Sequence, residues 1–152
     1  YPDYESIHYF EPSTASMQMS RRSLSRYSNI IYHEKGLWNS AGCLHFDSSL
    51  GTASRLDDCG GTKIDVTSID ESVDGKVDFI KLDIEGAETE SIKGARQTIA
   101  QQSPNIAVCV YHDQNDFIEI PKLIMEINPN YHVYFRHYTQ GTCESVMFFI
   151  QQ

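Results

Sequence analysis

The segment Val77–Glu88, with the sequence VDFIKLDIEGAE, decides the fold of this chain. Its first half is an apolar run rich in β-branched and aromatic side chains, which predicts a strand over Val77–Leu82 that is buried on both faces. Its second half is acidic and reaches Gly86, where a turn into a helix is expected. The segment therefore predicts a buried strand whose carboxyl end is followed by acidic side chains.

A helix and a second strand follow this segment. Ile92, Ala95 and Ile99 recur at spacings of three and four, so they share one face of a helix. A proline after this helix ends it near Gln102, and the apolar run 105–110 predicts the second strand. A strand, a helix and a strand joined by short connections form a right-handed crossover, in which the two strands are parallel.

Polar side chains follow both strands of this unit. Asp83 and Glu85 come after the first strand, and Tyr111 and His112 come after the second. Because parallel strands point their carboxyl ends the same way, these side chains should converge on the edge where open α/β sheets bind ligands.

The composition is that of one globular domain over residues 1–152. Hydrophobic residues make up 40% of the chain, which is enough for a core. No apolar run approaches the ~20 residues that a membrane helix needs. The net charge of −9 argues against a nucleic-acid partner, because affinity for phosphates rests largely on Lys and Arg. The cysteines form no CxxC pair, so a zinc site is not expected. We expect reduced thiols in a cytoplasmic protein.

The remaining elements complete an α/β fold with a mainly parallel sheet and a C-terminal antiparallel hairpin. Ser13 or Thr14 can cap a helix that runs to about Tyr27. The stretch 47–62 is rich in Ser, Gly and Asp and is expected to be a loop. Further strands are predicted at 6–10, 29–33, 43–46, 63–69, 131–138 and 145–150, with a third helix at 117–127.

An ordered set of short motifs extends along nearly the whole chain. It consists of Phe10–Pro12, Lys35–Trp38, Phe79–Glu88, Lys93–Ala95, Tyr111–His112 and Tyr134–Tyr138. Together these motifs resemble the FkbM family of O-methyltransferases, which have the Rossmann-like fold of methyltransferases dependent on S-adenosylmethionine. The resemblance implies transfer of a methyl group from S-adenosylmethionine to a hydroxyl of a small-molecule acceptor, a sugar or a natural product.

The resemblance also implies residues that bind the donor. Glu11, at the end of its strand, would accept hydrogen bonds from the ribose diol, although a solvated loop carboxylate is the alternative. Glu34, Lys35 and Gly36 form a turn where the fold of the family passes the adenine, and a plain surface turn would look the same.

The acidic and imidazole groups are expected at the reacting end. Asp83 would lie near the sulfonium and the incoming hydroxyl, where a carboxylate orients the nucleophile and favours the positive donor. His112 is the candidate general base, since an ordinary histidine pKa of about 6.5 suits removal of a hydroxyl proton, or it is a histidine bonded to a neighbouring loop. Glu85 and Tyr111 would contact the acceptor. Alternatively, Glu85 caps the next helix and Tyr111 packs.

The chain departs from the family at its beginning. The family opens with a strand and a Gly-rich turn that holds the methionine part of the donor, whereas no G-x-G sequence occurs here. The strand order of the fold places that strand between the strands 6–10 and 77–82. The chain is therefore expected to be a fragment that binds S-adenosylmethionine poorly by itself.

Other functions stay open. A metal-dependent hydrolase would use Asp83, Glu85 and His112 as oxygen and nitrogen ligands. An NAD-dependent dehydrogenase would use Glu11 on a ribose but would need the same glycine turn. A non-catalytic nucleotide-binding domain would keep the fold without the chemistry. Arg55, in the expected loop, is a candidate contact for an anionic acceptor.

Overall fold

A computed structural model of the protein describes residues 4–46, 62–141 and 143–151. The loop expected at 47–62, with Arg55, lies outside these residues except for its last position, which begins a strand. Of the helices that are described, none is long and apolar enough to cross a membrane.

The described chain contains nine strands and five helices. The strands are β1 (Ile7–Phe10), β2 (Ile30–His33), β3 (Gly36–Leu37), β4 (Gly42–Phe46), β5 (Thr62–Thr67), β6 (Phe79–Leu82), β7 (Asn105–Cys109), β8 (His132–His137) and β9 (Ser145–Ile150). The helices are α1 (Thr14–Ser23), α2 (Ile69–Ser72), α3 (Glu88–Lys93), α4 (Arg96–Gln102) and α5 (Asp116–Ile127).

The described strands form three sheets. The largest has the order β6-β7-β9-β8, in which β6 and β7 are parallel and the β8–β9 hairpin is antiparallel, as predicted. β1 and β2 form a parallel pair, and β3, β5 and β4 form a small mixed sheet. The α/β fold class is confirmed, and its parallel pairings are distributed over separate sheets.

The β6 strand differs from its prediction. Ile80 and Leu82 are buried, but Phe79 is 57% exposed and Lys81 points to the same exposed face. The prediction of a strand buried on both faces is therefore wrong. An apolar run shows that a strand can be buried, but it does not show which of its faces is covered.

The two faces of the largest sheet are covered differently. One face packs against α3, α4 and α5 and forms the main core, in which the predicted helix face is buried. Its members include Ile80, Leu82, Ile92, Ala95, Ile99, Ile106, Val108, Ile120, Ile124 and Phe149. The other face has a small cluster of Ala107, Cys109 and Val146, against which Tyr111 and Phe148 pack.

The single helix predicted after β6 is divided into α3 and α4 at Gly94. A Cβ atom on Gly94 would lie 2.1 Å from the carbonyl oxygen of Trp38, so only glycine allows the loop after β3 to approach so closely. Asp70 then supports the start of α4, because its carboxylate accepts hydrogen bonds from the N–H and the hydroxyl of Thr98. The prediction of one helix is wrong because two distant segments meet at this position.

Other helix boundaries follow local signals. Ser13 caps α1, and its side chain accepts a hydrogen bond of 3.3 Å from the N–H of Ser16, as predicted. α1 ends at Ser23, earlier than the expected end near Tyr27. α4 ends at Gln102, which confirms the stop predicted from the following proline.

Candidate active site at the carboxyl ends of β6 and β7

Four polar side chains converge at this edge of the sheet, as the sequence predicts. The Nε2 atom of His112 lies 3.7 Å from Oδ1 of Asp83 and 3.6 Å from Oε2 of Glu85. The Tyr111 hydroxyl donates a hydrogen bond of 3.1 Å to Oδ1 of Asp83. Parallel pairing of β6 with β7 produces this convergence, because both strands end at the same edge. The partly exposed carboxylates of Asp83 and Glu85 are called the acidic rim below.

Glu88, the first residue of α3, holds the turn between β6 and α3. Glu85 and Gly86 have positive φ angles of 57° and 96°, so the chain reverses sharply there. The Glu88 carboxylate accepts hydrogen bonds of 2.9 Å from the N–H groups of Ile84 and Gly86. The carboxylate of Glu88 therefore holds the turn before α3, and none of the described side chains caps the start of α3 itself.

The sequence alone indicates no role for Glu88. One local signal was present: the helix begins after Ala87, which has no side-chain oxygen to cap it. An acidic residue at the first position of a helix is able to turn back toward backbone N–H groups of the preceding turn. The contact of Glu88 with His112, which follows β7, has no signal in the sequence.

The His112 ring lies between the acidic rim and Glu88. Its side chain is only 7% exposed, and Nδ1 is 2.8 Å from Oε1 of Glu88. That oxygen lies off the line of a ring N–H, so the contact is not a well-formed hydrogen bond, and it is an ion pair only when the ring is protonated. Nδ1 and Nε2 are both buried without a well-formed hydrogen bond to any described residue. Burial tends to lower the pKa of His112. The carboxylates around it, with Glu88 first, outweigh burial and raise this pKa above its ordinary value.

Asp83 is kept ionised by its surroundings. Burial tends to raise its pKa, but hydrogen bonds from the Cys109 thiol and the Tyr111 hydroxyl, together with nearby positive charge, hold that pKa below its ordinary value. The charge comes mainly from Lys81, whose Nζ lies 3.5 Å from Oδ2 of Asp83. Burial raises the pKa of Cys109 to about 11, so its thiol is protonated at neutral pH and is a poor nucleophile.

Asp116, the first residue of α5, is a second buried carboxyl near Glu88. Its side chain accepts a hydrogen bond of 2.9 Å from the N–H of Asp113. Burial raises the pKa of Asp116, and the negative charge of Glu88 raises it further. The hydrogen bond from Asp113 lowers this pKa but does not outweigh the other two effects. Asp116 therefore binds a proton more readily than an exposed aspartate.

The residues expected to bind the donor form a separate group at the ends of β1 and β2. Glu11 is half-buried, and its Oε1 accepts a hydrogen bond of 2.8 Å from the N–H of Ser13 at the start of α1. The Thr14 hydroxyl donates a hydrogen bond to Oε1 of Glu34. Within the described ranges, no hydrogen bond or ion pair joins this group to the acidic rim.

The turn after β2 is shorter than expected. Glu34 and Lys35 are exposed, whereas Gly36 already pairs with Val66 in the parallel β3–β5 ladder. A Cβ atom on Gly36 would lie 3.2 Å from Cγ1 of Val66, so glycine is favoured there by packing against β5. The roles of Lys35 and Gly36 in binding a donor stay predictions.

The three side chains considered as ligands of a metal-dependent hydrolase are the ones that converge. The Nε2 atom of His112 lies 3.7 Å from the Asp83 carboxylate and 3.6 Å from the Glu85 carboxylate. In the part of the chain that the structure describes, no group of three or more His, Cys, Asp or Glu side chains is arranged to hold a metal ion.

Comparisons with known proteins bear on the identity of the chain. The Methyltransferase FkbM domain matches residues 5–140. A crystal structure of Methyltransferase FkbM from Methylobacillus flagellatus KT is 28% identical, with a TM-score of 0.82, over 97% of this chain and 37% of that chain. The present chain thus spans little more than a third of that protein. A search of curated proteins finds no match. Because the domain match covers most of the chain, the protein belongs to the FkbM methyltransferase family.

Proposed function

We propose that the protein transfers the methyl group of S-adenosylmethionine to a hydroxyl oxygen of a sugar or natural-product acceptor at the acidic rim. The observation that supports this most directly is the Nε2 atom of His112, which is buried, has no hydrogen-bond partner and faces Asp83 and Glu85. A hydroxyl bound at the rim would meet both a proton acceptor and ionised carboxylates.

The chemistry of the rim fits a positive donor. S-adenosylmethionine supplies an electrophilic methyl carbon on a sulfonium, whose positive charge two carboxylates would favour. Asp83 stays ionised there because its pKa is lowered, although burial opposes this. Glu11, at the end of β1, is the candidate for the ribose diol, and Glu34, after the neighbouring β2, is a candidate for the adenine side of the donor. Lys35 and Gly36 are the candidates for the adenine side of the donor.

His112 is the proposed general base. Its Nε2 accepts the proton of the acceptor hydroxyl while the hydroxyl oxygen bonds to the methyl carbon and the carbon–sulfur bond breaks. Asp83, on the same side of the ring, orients the acceptor and favours the positive charge of the donor. Glu85 and Tyr111 are the candidates for contacts with the rest of the acceptor. The imidazolium that forms lies among carboxylates, which stabilise it.

Replacing His112 with Ala tests this function in the full-length protein. Turnover should fall by about 10² to 10⁴, since that is the usual contribution of a general base. Donor binding, measured by calorimetry, should persist. Methyl transfer would be followed with labelled S-adenosylmethionine and a panel of sugars and hydroxylated natural products. His132→Ala, on the exposed strand β8, is the matched control.

The outcomes separate the alternatives. Unchanged turnover in His112→Ala would end the role of His112 as a base. Failure of the unaltered protein to bind S-adenosylmethionine would contradict the proposed function as a whole. Donor binding without transfer to any acceptor would instead indicate a non-catalytic nucleotide-binding domain.

A further inference from the structure

Glu88 makes contacts to which the proposed function assigns no role. Its side chain is fully buried, with 0% exposure. Its Oε1 atom accepts the N–H of Ile84 and lies 2.8 Å from Nδ1 of His112, while its Oε2 atom accepts the N–H of Gly86. One carboxylate therefore contacts both the turn that contains Glu85 and the ring of the proposed base.

We propose that Glu88 is a positioning residue that keeps the proton of neutral His112 on Nδ1 and leaves Nε2 free to accept a proton at the acidic rim. This inference rests on the proposed function, in which Nε2 is the base, and it adds a residue that acts through the ring. The reacting atoms are contacted by His112 and not by Glu88.

The chemistry of imidazole leads to this assignment. A neutral imidazole has one N–H group and one lone pair, and the partners of the two nitrogens decide which nitrogen has the proton. A carboxylate that already accepts two backbone N–H groups is an acceptor at every contact. A lone pair on Nδ1 would therefore face the negative Oε1 of Glu88 at 2.8 Å, which is repulsive, whereas an N–H on Nδ1 is attracted.

The acidic rim competes weakly for the same proton. Asp83 and Glu85 lie 3.7 and 3.6 Å from Nε2, which is beyond hydrogen-bond distance, and their side chains are 44% and 50% exposed. Water screens such carboxylates, whereas Glu88 acts on the ring in a low-dielectric interior. Glu88 therefore outweighs the rim in placing the proton, although the rim has two carboxylates.

The charged surroundings of the ring come from several elements. Asp83 and Glu85 follow β6, Glu88 begins α3, and Asp116 begins α5, while the Tyr111 ring lies 4.2 Å away, centroid to centroid. Among these groups, Glu88 is the fully buried one in contact with Nδ1. Removing its charge should therefore change the ring more than removing the charge of a rim carboxylate.

Nuclear magnetic resonance of the ring tests the inference without any acceptor. Long-range correlations of ring protons with ¹⁵N in the labelled full-length protein distinguish an N–H on Nδ1 from one on Nε2, and His112→Asn assigns the signals. Above the titration midpoint of His112, the Nδ1–H form should dominate. A dominant Nε2–H form would overturn the inference, and this result needs no further variant.

Glu88→Gln and Glu85→Gln form a matched pair, since each removes one carboxylate near the ring. Glu88→Gln should lower the titration midpoint of His112 by on the order of one pH unit and mix the two tautomers. Glu85→Gln should give a smaller shift and keep the Nδ1–H form. Equal effects of the two variants would overturn the inference. Where Glu88→Gln does not fold, Glu88→Asp replaces it, because the shorter side chain withdraws the oxygen from Nδ1 and should also mix the tautomers.

A purely structural role of Glu88 in the turn predicts a different result. Gly86→Ala strains the same turn, where φ is 96°, but leaves the Glu88 carboxylate in place. It should keep the Nδ1–H form, and a tautomer change as large as that in Glu88→Gln would overturn the inference. Calorimetry of the unaltered protein with S-adenosylmethionine reports on the proposed function alone. Donor binding with the wrong tautomer contradicts only the role of Glu88, whereas the right tautomer without donor binding contradicts only the proposed function.

Discussion

Two histidines near the carboxyl ends of parallel strands have opposite acid–base surroundings. His112, after β7, lies in a region formed by β6, β7 and α3, where nearby carboxylates overcome burial and raise its pKa. His33, the last residue of β2, lies in a region formed by β1, β2 and the turn to β3. Burial, followed by the positive charges of His8 and Lys35, lowers the pKa of His33.

The contacts of the two rings explain the difference. Nε2 of His33 lies 3.0 Å from Nδ1 of His8, and the His33 ring stacks on Phe10 with centroids 4.2 Å apart. His112 instead has a buried carboxylate, that of Glu88, at 2.8 Å. His33 ends β2 and His112 follows β7 by three residues, so both lie near the carboxyl end of a parallel strand, and that location alone does not decide what a histidine does. The neighbours that the fold brings to each ring decide it.

The largest expected effect on stability is at Gly94, where the two regions meet. Gly94→Ala would place a Cβ atom 2.1 Å from the carbonyl oxygen of Trp38, which lies in the loop after β3. Because backbone atoms cannot move aside cheaply, the free energy of unfolding should fall by about 3 kcal/mol. Urea unfolding of the full-length protein measures this loss.

Gly42→Ala is the matched control for this substitution. A Cβ atom on Gly42 would lie 3.9 Å from Cγ2 of Val66, an ordinary contact, so the free energy of unfolding should change by no more than about 0.5 kcal/mol. Equal losses in the two variants would show that close packing at Trp38 does not join the two regions.

The second prediction is that the two histidines affect stability in opposite directions as pH changes. The folded state raises the pKa of His112, so its stabilising contribution is complete below the unfolded pKa and is lost as pH rises through the folded pKa. The folded state lowers the pKa of His33, so this residue destabilises the fold as pH falls below its unfolded pKa.

Two substitutions measure these contributions separately. When the pH is lowered from 8 to 5, the melting temperature of His112→Gln should fall more than that of the unaltered protein. The melting temperature of His33→Gln should fall less. The comparison uses the difference between the two pH values in each variant, since each substitution also changes packing at every pH. Changes of the same sign in both variants would contradict the difference between the two regions.

Local signals and strand order were enough to predict part of the site. Ser13 caps its helix as its side chain predicts, and Pro104 stops α4 at Gln102. The convergence of Asp83 with His112 follows from two parallel strands, which a strand–helix–strand pattern already implies. Features that depend on one element or on chain direction are therefore readable from the sequence.

Features that depend on contacts between distant segments were not predictable in this way. The helix divides at Gly94 because the Trp38 carbonyl approaches it, and no periodicity reports that contact. Phe79 is exposed because the helices pack on the opposite face of the sheet, which its own segment does not reveal. Glu88 acquires its contact with His112 only when β7 is in place. The expectation that the chain is a fragment, like the roles of the donor-binding residues, stays a prediction.

The smallest expected effect concerns the origin of the low pKa of His33. His8→Phe keeps a ring to stack at that position but removes its positive charge and its ring nitrogens, so the titration midpoint of His33 should rise toward the ordinary value. The rise should be partial, because burial and Lys35 still act on His33. His112 should not respond, since the groups that set its pKa lie near β6, α3 and α5. Resonance titrations of both rings in one sample measure the two midpoints together. A midpoint of His33 that stays constant or falls would show that His8 does not set it, and a shift of His112 would show that the two regions are coupled electrostatically.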